Sequence, residues 1–535
     1  MRLHLAKRVR HDGPAPWSFG RVLPVAGRPR RPLLLALSVL AVAVALIPVL
    51  YLGVRTAEAG WERIAEEVFT PRVALLALRT LGLAVVVSAG CLVLGVGSAF
   101  LVVRTDLPAR RAFAVLAALP LAVPTYIAAF AWRATVDGFE GFWAAALVLT
   151  LCSYPYVFLP VAAALKGADP AQEEVSRSLG RNAWRTFTGV TLRQVRPAVA
   201  GGTLLVALYV LSDFGAVSIV RADTFTRAIF VAFDLGFDRT GALVLSSVLV
   251  ILTMLILAGE TASRHRGARY AHLGAARRAP ARFRLARTRW PATFVLLALA
   301  GLSLGVTVVS LGHRMIEGVS RPGTWSEVAA AAGNSLWLSF AGTALTVLLA
   351  LPLGVLTAKA PSPLTTLLDR LGYLSHALPG LVIGLSLVSF GISLAYPIYQ
   401  TTWLLALGYA ALFLPLAVAA VTAAAAQAPP VLEDVARSLG RRPPAVLRTV
   451  TLPLTLPGIG AGAALAFLAC MKELPATLLL RPTGVDTLAT ELWTHTTVAA
   501  YAAAAPYAAL LVLLSSVPAW LLTTRTGILT RESTR

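Results

Sequence analysis

Charge is scarce in this 535-residue chain: only 13% of its residues are Asp, Glu, Lys or Arg, where a soluble domain carries about a quarter. Acid is scarcer still, with 25 Asp and Glu against 47 Lys and Arg. Cysteine is nearly absent. Cys91, Cys152 and Cys470 each stand in an apolar run, with no spacing that suits a disulfide framework or a metal site. There is no G-x-x-x-x-G-K-[ST] loop to cradle the phosphates of ATP, no H-E-x-x-H and no cluster of His and Cys. These absences argue against an enzyme and against a chain that binds a nucleotide or metal by itself. The net charge of +22 could attract nucleic acid, but the basic residues fall in short segments between apolar runs. That placement orients membrane proteins, so no nucleic-acid partner is expected.

What is present is hydrophobic residue, 57% of the chain, with a mean hydropathy of +0.75. Several runs exceed the roughly 20 apolar residues that cross a bilayer, and only a helix can span with such a run. The expected fold is an all-α polytopic membrane protein of about twelve transmembrane helices, at 32–54, 80–103, 112–135, 142–165, 199–220, 241–259, 291–313, 335–358, 371–393, 403–425, 458–480 and 503–523. The first run is long, follows a long basic segment and lacks a clean A-x-A site, so it reads as an uncleaved helix rather than a signal peptide. The expected divisions are a basic segment 1–31, a first half 32–259, an Arg-rich linker 260–290, a second half 291–523 and a tail 524–535.

Orientation follows from the arginines. The N-terminal segment and the loops 104–111, 166–198 and 260–290 are basic, the last with nine arginines from Arg264 to Arg289. The alternate loops are balanced or acidic: 55–72 carries Glu58, Glu62, Glu66 and Glu67, and 136–141 carries Asp137 and Glu140. Both termini are therefore expected in the cytoplasm of a cell with a multi-pass plasma (inner) membrane protein. For the linker itself, obedience to this charge rule is a sufficient explanation.

The chain repeats itself. "EEVSRSLGR" (173–181) returns as "EDVARSLGR" (433–441), 260 residues later. At the same offset Pro155 meets Pro415, Pro170 meets Pro430, Val190-Thr191-Leu192 meets Val450-Thr451-Leu452, Pro197 meets Pro457 and Gly202 meets Gly462. "ALPLAVP" (118–124) resembles "ALPGLVI" (377–383). Both polar phrases fall between the fourth and fifth spans of a half, in the same orientation, so the halves are parallel pseudo-repeats.

Each polar phrase reads as two short helices with a break. In the first, Asp169 can cap, Pro170 suits the first helical position, Gln172 completes a capping-box-like spacing and Glu173 and Glu174 suit the positive helix end. Gly180 fits the left-handed position that ends a helix, and Asn182 can cap the next. The second copy has Pro429 in place of Asp169, keeps Pro430 and Gly440, and opens its second helix at Pro443. Loops without a role are short; two long matched loops point to a partner that docks on both.

Glu174–Gly180 and Asp434–Gly440 resemble the E-A-A-x-x-x-G loop of ABC importer permeases, in which a downstream hydrophobic-x-Leu-Pro follows. That element stands complete as Val450–Pro453; in the first copy Arg193 replaces the proline. The resemblance implies that the loops form coupling helices docked in clefts of a cytoplasmic ATPase, with Glu173, Glu174, Arg177, Ser178, Leu179 and Gly180 in one socket and Glu433, Asp434, Arg437, Ser438, Leu439 and Gly440 in the other. "SDFGAVSIVRADTFTRAI" (212–229) and "MKELPATLLLRPTGVDTLATELW" (471–493) resemble the fused permeases of ferric-iron importers. Thiamine and aminophosphonate permeases share that architecture. The resemblance implies two copies of an ATPase below, an extracytoplasmic solute-binding protein above, ATP and magnesium on the ATPase, and no cofactor or metal on this chain.

Asp213, Lys472 and Glu473 fall inside apolar runs at matching places. Charges at such depth face a cavity or a partner, so they either line the passage or its gate, or pair as Lys472 with Glu473 or Asp213. Neighbours on a helix point apart, which favours pairing across helices. Arg133 is expected to reach the outer interface, Pro120, Pro124 and Pro379 to kink their helices, and His376 to be a packed side chain. With few oxygen ligands available, the spans are not expected to hold ferric iron tightly. A secondary transporter would want intramembrane acids and no duplicated docking loop; a membrane enzyme would want a polar catalytic cluster.

Overall fold

The computed structural model describes residues 32–168, 170–265, 283–317, 324–375, 378–427 and 430–525. The basic N-terminal segment, linker residues 266–282, the tail beyond 525, Asp169, His376 and Pro429 lie outside these residues. The described chain is helical throughout, with a single isolated bridge between Thr105 and Phe283.

Among the described residues, ten helices are long and apolar enough to cross a membrane: Pro32–Glu58, Pro71–Arg104, Phe142–Lys166, Phe187–Ser212, Arg239–Gly259, Ala286–Ile316, Trp325–Lys359, Thr402–Gln427, Arg448–Lys472 and Tyr501–Pro518. Their starts carry local signals. Thr70 accepts from the Val73 amide with Pro71 in the first turn, and Thr324 and Glu327 form a capping box.

Two of the twelve expected spans are not continuous. The 112–135 run is a pair, Arg110–Ala122 and Thr125–Thr135, bent by 94°. Pro120 and Pro124 bring this about: each lacks an N–H, and Pro124 drives Val123 to an extended conformation. The 371–393 run likewise divides into Pro363–Leu374 and Gly380–Ser393, with Pro379 at the break. Two further spans stop early. The 199–220 run ends its long helix at Ser212 and restarts as Gly215–Ile219, and the 458–480 run ends at Lys472 and restarts as Pro475–Leu480. The four interruptions fall at equivalent places of the two halves.

Small residues let the helices of each half approach. A Cβ on Gly202 would sit 2.8 Å from the Tyr156 carbonyl oxygen, and one on the equivalent Gly462 would sit 2.4 Å from the Ala420 methyl. Only glycine fits at that spacing, as in other close helix crossings in bilayers. The first span of each half crosses over. Tyr51 on Pro32–Glu58 donates to the Ser389 carbonyl at 3.1 Å and meets Phe390 edge-on at 5.8 Å. Reciprocally, Ser310 on the first span of the second half donates to the Ala131 carbonyl at 3.0 Å. Each half is thus completed by a helix of the other.

Candidate functional site

The two repeated phrases fold alike. Pro170–Ser178 and Pro430–Ser438 are short helices. Gly180 and Gly440 both take φ +79°, the left-handed region in which a Cβ is strained. The Gly180 amide donates to the Arg177 carbonyl at 2.9 Å and the Arg181 amide to Ser176 at 3.3 Å; Gly440 and Arg441 repeat both bonds onto Arg437 and Ala436. This paired closure satisfies the last carbonyls of each helix. The chain then forms Ala183–Thr186 or Pro443–Val446, a π turn ending at Thr191 or Thr451, and the next long helix. Asn182 caps the second short helix by accepting from the Arg185 amide at 2.8 Å. Gln172 accepts from Gln194 at 3.0 Å.

Each short helix presents one face to solvent. Glu174, Val175, Arg177, Ser178 and Leu179 are exposed in the first copy, and Val431, Leu432, Asp434, Val435, Arg437, Ser438 and Leu439 in the second. Leu179 is 74% exposed and Leu439 76%, so an apolar knob stands at the same point of both copies. A cleft lined by Gln172, Val175, Leu179 and Val190 borders the first helix.

Glu173 and Glu433, expected on that outer face, turn inward instead. Glu173 is 4% exposed and Glu433 7%. A buried carboxylate needs a cation and hydrogen bonds, and both have them. Glu173 accepts from Arg104, the last residue of Pro71–Arg104, and from the Thr191 hydroxyl at 2.7 Å. Glu433 accepts from Lys359, the last residue of Trp325–Lys359, from Thr451 at 2.8 Å and from Arg437 at 3.1 Å. Each acid therefore clasps three elements: the short helix, the end of a long helix and the π turn. Thr191 and Thr451 were visible in the repeat; their partners Arg104 and Lys359 were not, because they do not share its offset. Burial raises the proton affinity of Glu433, but Lys359, Thr451 and Arg437 outweigh it, and the carboxyl titrates below its ordinary range.

Deep in the helices, the acids Asp213 and Glu473 occupy matching breaks. Asp213 Oδ1 accepts from the Ala216 and Val217 amides at 3.0 and 3.3 Å, capping Gly215–Ile219. Its Oδ2 accepts from Thr125 at 2.6 Å, the first residue after the 94° bend. Glu473 Oε1 accepts from the Ala476 amide at 3.1 Å, capping Pro475–Leu480, and lies so close over Gly380 that a Cβ there would meet it. Tyr409 and Thr477 hydroxyls pair at 2.7 Å beside it, and the Tyr126 hydroxyl is buried against the same centre. Lys472 donates to the Leu121 carbonyl at 2.9 Å, a bond from one half to the other. Leu121 lies in the 3-10 turn Leu119–Ala122, where the donor to its carbonyl would be Pro124, which has no N–H to offer. The ion pairs of Lys472 with Glu473 or Asp213 do not form among the described residues. Phe214 closes the seam, packing on Trp493 of the other half at 5.1 Å. Arg133 does not simply reach outward: it donates to the Ile219 carbonyl and faces Glu140 at 3.7 Å. Among the described residues, no three His, Cys, Asp or Glu gather as a metal site.

Comparison with known proteins agrees with this geometry. The family described as binding-protein-dependent transport system inner membrane component matches twice, over residues 91–260 and 350–524. Each match carries one of the repeated short helices and one acid-capped break. Fe(3+)-transport system permease protein FbpB 2 of Haemophilus influenzae is 41% identical over 500 residues, 92% of this chain and 99% of that protein. Molybdenum transport system permease protein ModB of Escherichia coli is 37% identical over 206 residues, 34% of this chain and 88% of its own length. Sulfate transport system permease protein CysT of Escherichia coli is 29% identical over 233 residues, 40% of this chain and 84% of its own. With ten membrane-length helices and two family matches in tandem, this chain belongs to the inner-membrane components of binding-protein-dependent transport systems, as a fused permease with both halves in one polypeptide.

Proposed function

We propose that this chain is the permease of a ferric-iron importer, driven by ATP hydrolysed on a separate subunit, and that it performs no chemistry itself. The observation that carries the substrate is the relative named for Fe(3+) transport, which matches nearly end to end; the sulfate and molybdenum relatives match only 40% and 34% of this chain. Two copies of a cytoplasmic ATPase, holding ATP and magnesium, dock on the exposed faces of Pro170–Ser178 and Pro430–Ser438 through Glu174, Arg177, Ser178 and Leu179 and through Asp434, Arg437, Ser438 and Leu439. Gly180 and Gly440 end those helices; Glu173 and Glu433 hold them from behind. An extracytoplasmic binding protein delivers the cargo, and both termini face the cytoplasm.

The mechanism follows from the clasps. When the ATPases close, they carry the docking helices with them. Glu173 and Glu433 pass that motion to the ends of two long helices, and the halves rock about the seam at Asp213, Lys472 and Glu473. These three line the passage or its gate. Asp213 has both carboxylate oxygens and Glu473 its Oε1 engaged in hydrogen bonds, so the two acids meet ferric iron briefly, and selection rests on the binding protein. Uptake of labelled ferric iron by cells with and without the chain tests the proposal. Iron uptake should depend on the chain; unchanged iron uptake with loss of thiamine, aminophosphonate, sulfate or molybdate uptake would reassign the cargo.

A further inference from the structure

The end of the linker lies as a strap across the end of Pro71–Arg104, beside the first docking loop. The Phe283 amide donates to the Arg104 carbonyl at 2.8 Å, and the Asp106 amide donates to the Phe283 carbonyl at 3.2 Å. Asp106 returns a carboxylate oxygen to the Leu285 amide at 2.7 Å. The strap thus grips Arg104 and Asp106, at and just beyond the end of Pro71–Arg104, where Glu173 is also held.

The Phe283 ring joins the parts. It lies 5.6 Å from Phe100, which packs at 4.5 Å on Phe187, the first residue of the π turn. The Arg177 guanidinium lies 4.8 Å from the ring centre and that of Arg104 5.8 Å, both within reach of a cation–π attraction. One side chain therefore touches the long helix and the docking helix together.

The second loop is built differently at the same places. Arg437, the counterpart of Arg177, pairs with Asp434 at 2.9 Å and with Glu433 at 3.1 Å. Lys359 stands where Arg104 stands in the first half. The bridge at Thr105 is the sole one among the described residues.

We propose that Phe283 is a positioning residue that braces the first docking helix, so that fusing the halves makes one ATPase socket stiffer than the other. This rests on the docking helices being ATPase sockets, and the test separates the two ideas. Amide hydrogen exchange is measured on the intact chain in nanodiscs, for the natural protein and for Phe283→Leu, Phe283→Ala and Phe283→Tyr. Leu keeps apolar bulk but removes the ring, so it stays folded if Ala does not.

In Phe283→Leu, amides 174–181 should exchange about five-fold faster or more while 433–441 stay unchanged, and Phe283→Tyr should restore the natural rate. With the ATPase bound, cargo moved per ATP hydrolysed should fall in Phe283→Leu and recover in Phe283→Tyr. Unchanged exchange at 174–181, equal loosening of both loops, or Tyr behaving like Leu would overturn the brace. If exchange responds as stated but no ATPase co-purifies with the natural chain, the brace stands and the docking reading fails.

Discussion

A carboxylate taken out of water needs partners, and the buried acids of this protein differ in who supplies them. Glu173 depends on Arg104, which is itself fully buried. Glu173→Ala should raise the local opening of 174–181 by about 3–5 kcal/mol-equivalent of lost protection, because it strands the guanidinium; amide exchange reads this directly. Glu433 titrates below its ordinary value of 4.5. A depressed carboxyl stabilises the fold above its unfolded pKa and loses that contribution as pH falls through the folded one. Protection of 433–441, corrected for intrinsic exchange, should therefore stay flat from neutral pH to about 5 and fall only in stronger acid. Glu433→Gln should abolish that acid step. A fall beginning near pH 6 would contradict the clasp. Asp213→Ala should remove the cap of Gly215–Ile219 at a cost of about 1 kcal/mol, whereas Asp213→Asn keeps one acceptor oxygen for the Ala216 and Val217 amides, turns an NH2 toward the Thr125 hydroxyl, which can accept from it, and should fold normally, with its defect confined to transport.

At the scale of the element, the short helices Pro170–Ser178 and Pro430–Ser438 depend on how they end. Gly180 and Gly440 share φ +79° with open space around them, so the cost of a side chain there is conformational and not steric. Gly180→Ala or Gly440→Ala should each destabilise its helix end by about 1 kcal/mol, lower ATPase co-purification and reduce uptake. Both together should abolish uptake; intact uptake in the double variant would rule out docking through these loops. The broken spans follow the same logic in reverse. Pro120 and Pro124 forgo helical hydrogen bonds, and the carbonyl released at Leu121 becomes the acceptor for Lys472 across the seam.

At the scale of the molecule, the halves hold one another by exchanged first spans, through Tyr51 on one side and Ser310 on the other. A chain divided within 266–282 and expressed as two pieces should therefore still co-purify as a pair in mild detergent. Recovery of separate halves would show that the linker, and not the exchange, holds them together. The proposed unevenness of the two short helices belongs to this scale too, since the Phe283 strap comes from the segment that joins the halves.

The apolar runs, the 260-residue repeat and the paired glycines were legible in the sequence, because helix length, offset and left-handed turns are local properties. They determined an all-α membrane chain with two like polar loops. Glu173 and Glu174 show where local information stops. Both are acids in one helical turn, and only the packed side of the helix decides that the first is clasped and the second exposed. The breaks at Pro124 and Pro379 were marked by prolines, and the stop at Lys472 has Pro475 just beyond it, whereas the stop at Ser212 carries only Asp213, which caps the next helix through the Ala216 amide three residues on. The exchange of first spans, the Lys472 bond to Leu121 and the Phe283 strap join residues hundreds of positions or a whole linker apart. Such contacts are chosen by packing among helices in three dimensions, and tertiary structure alone decided them.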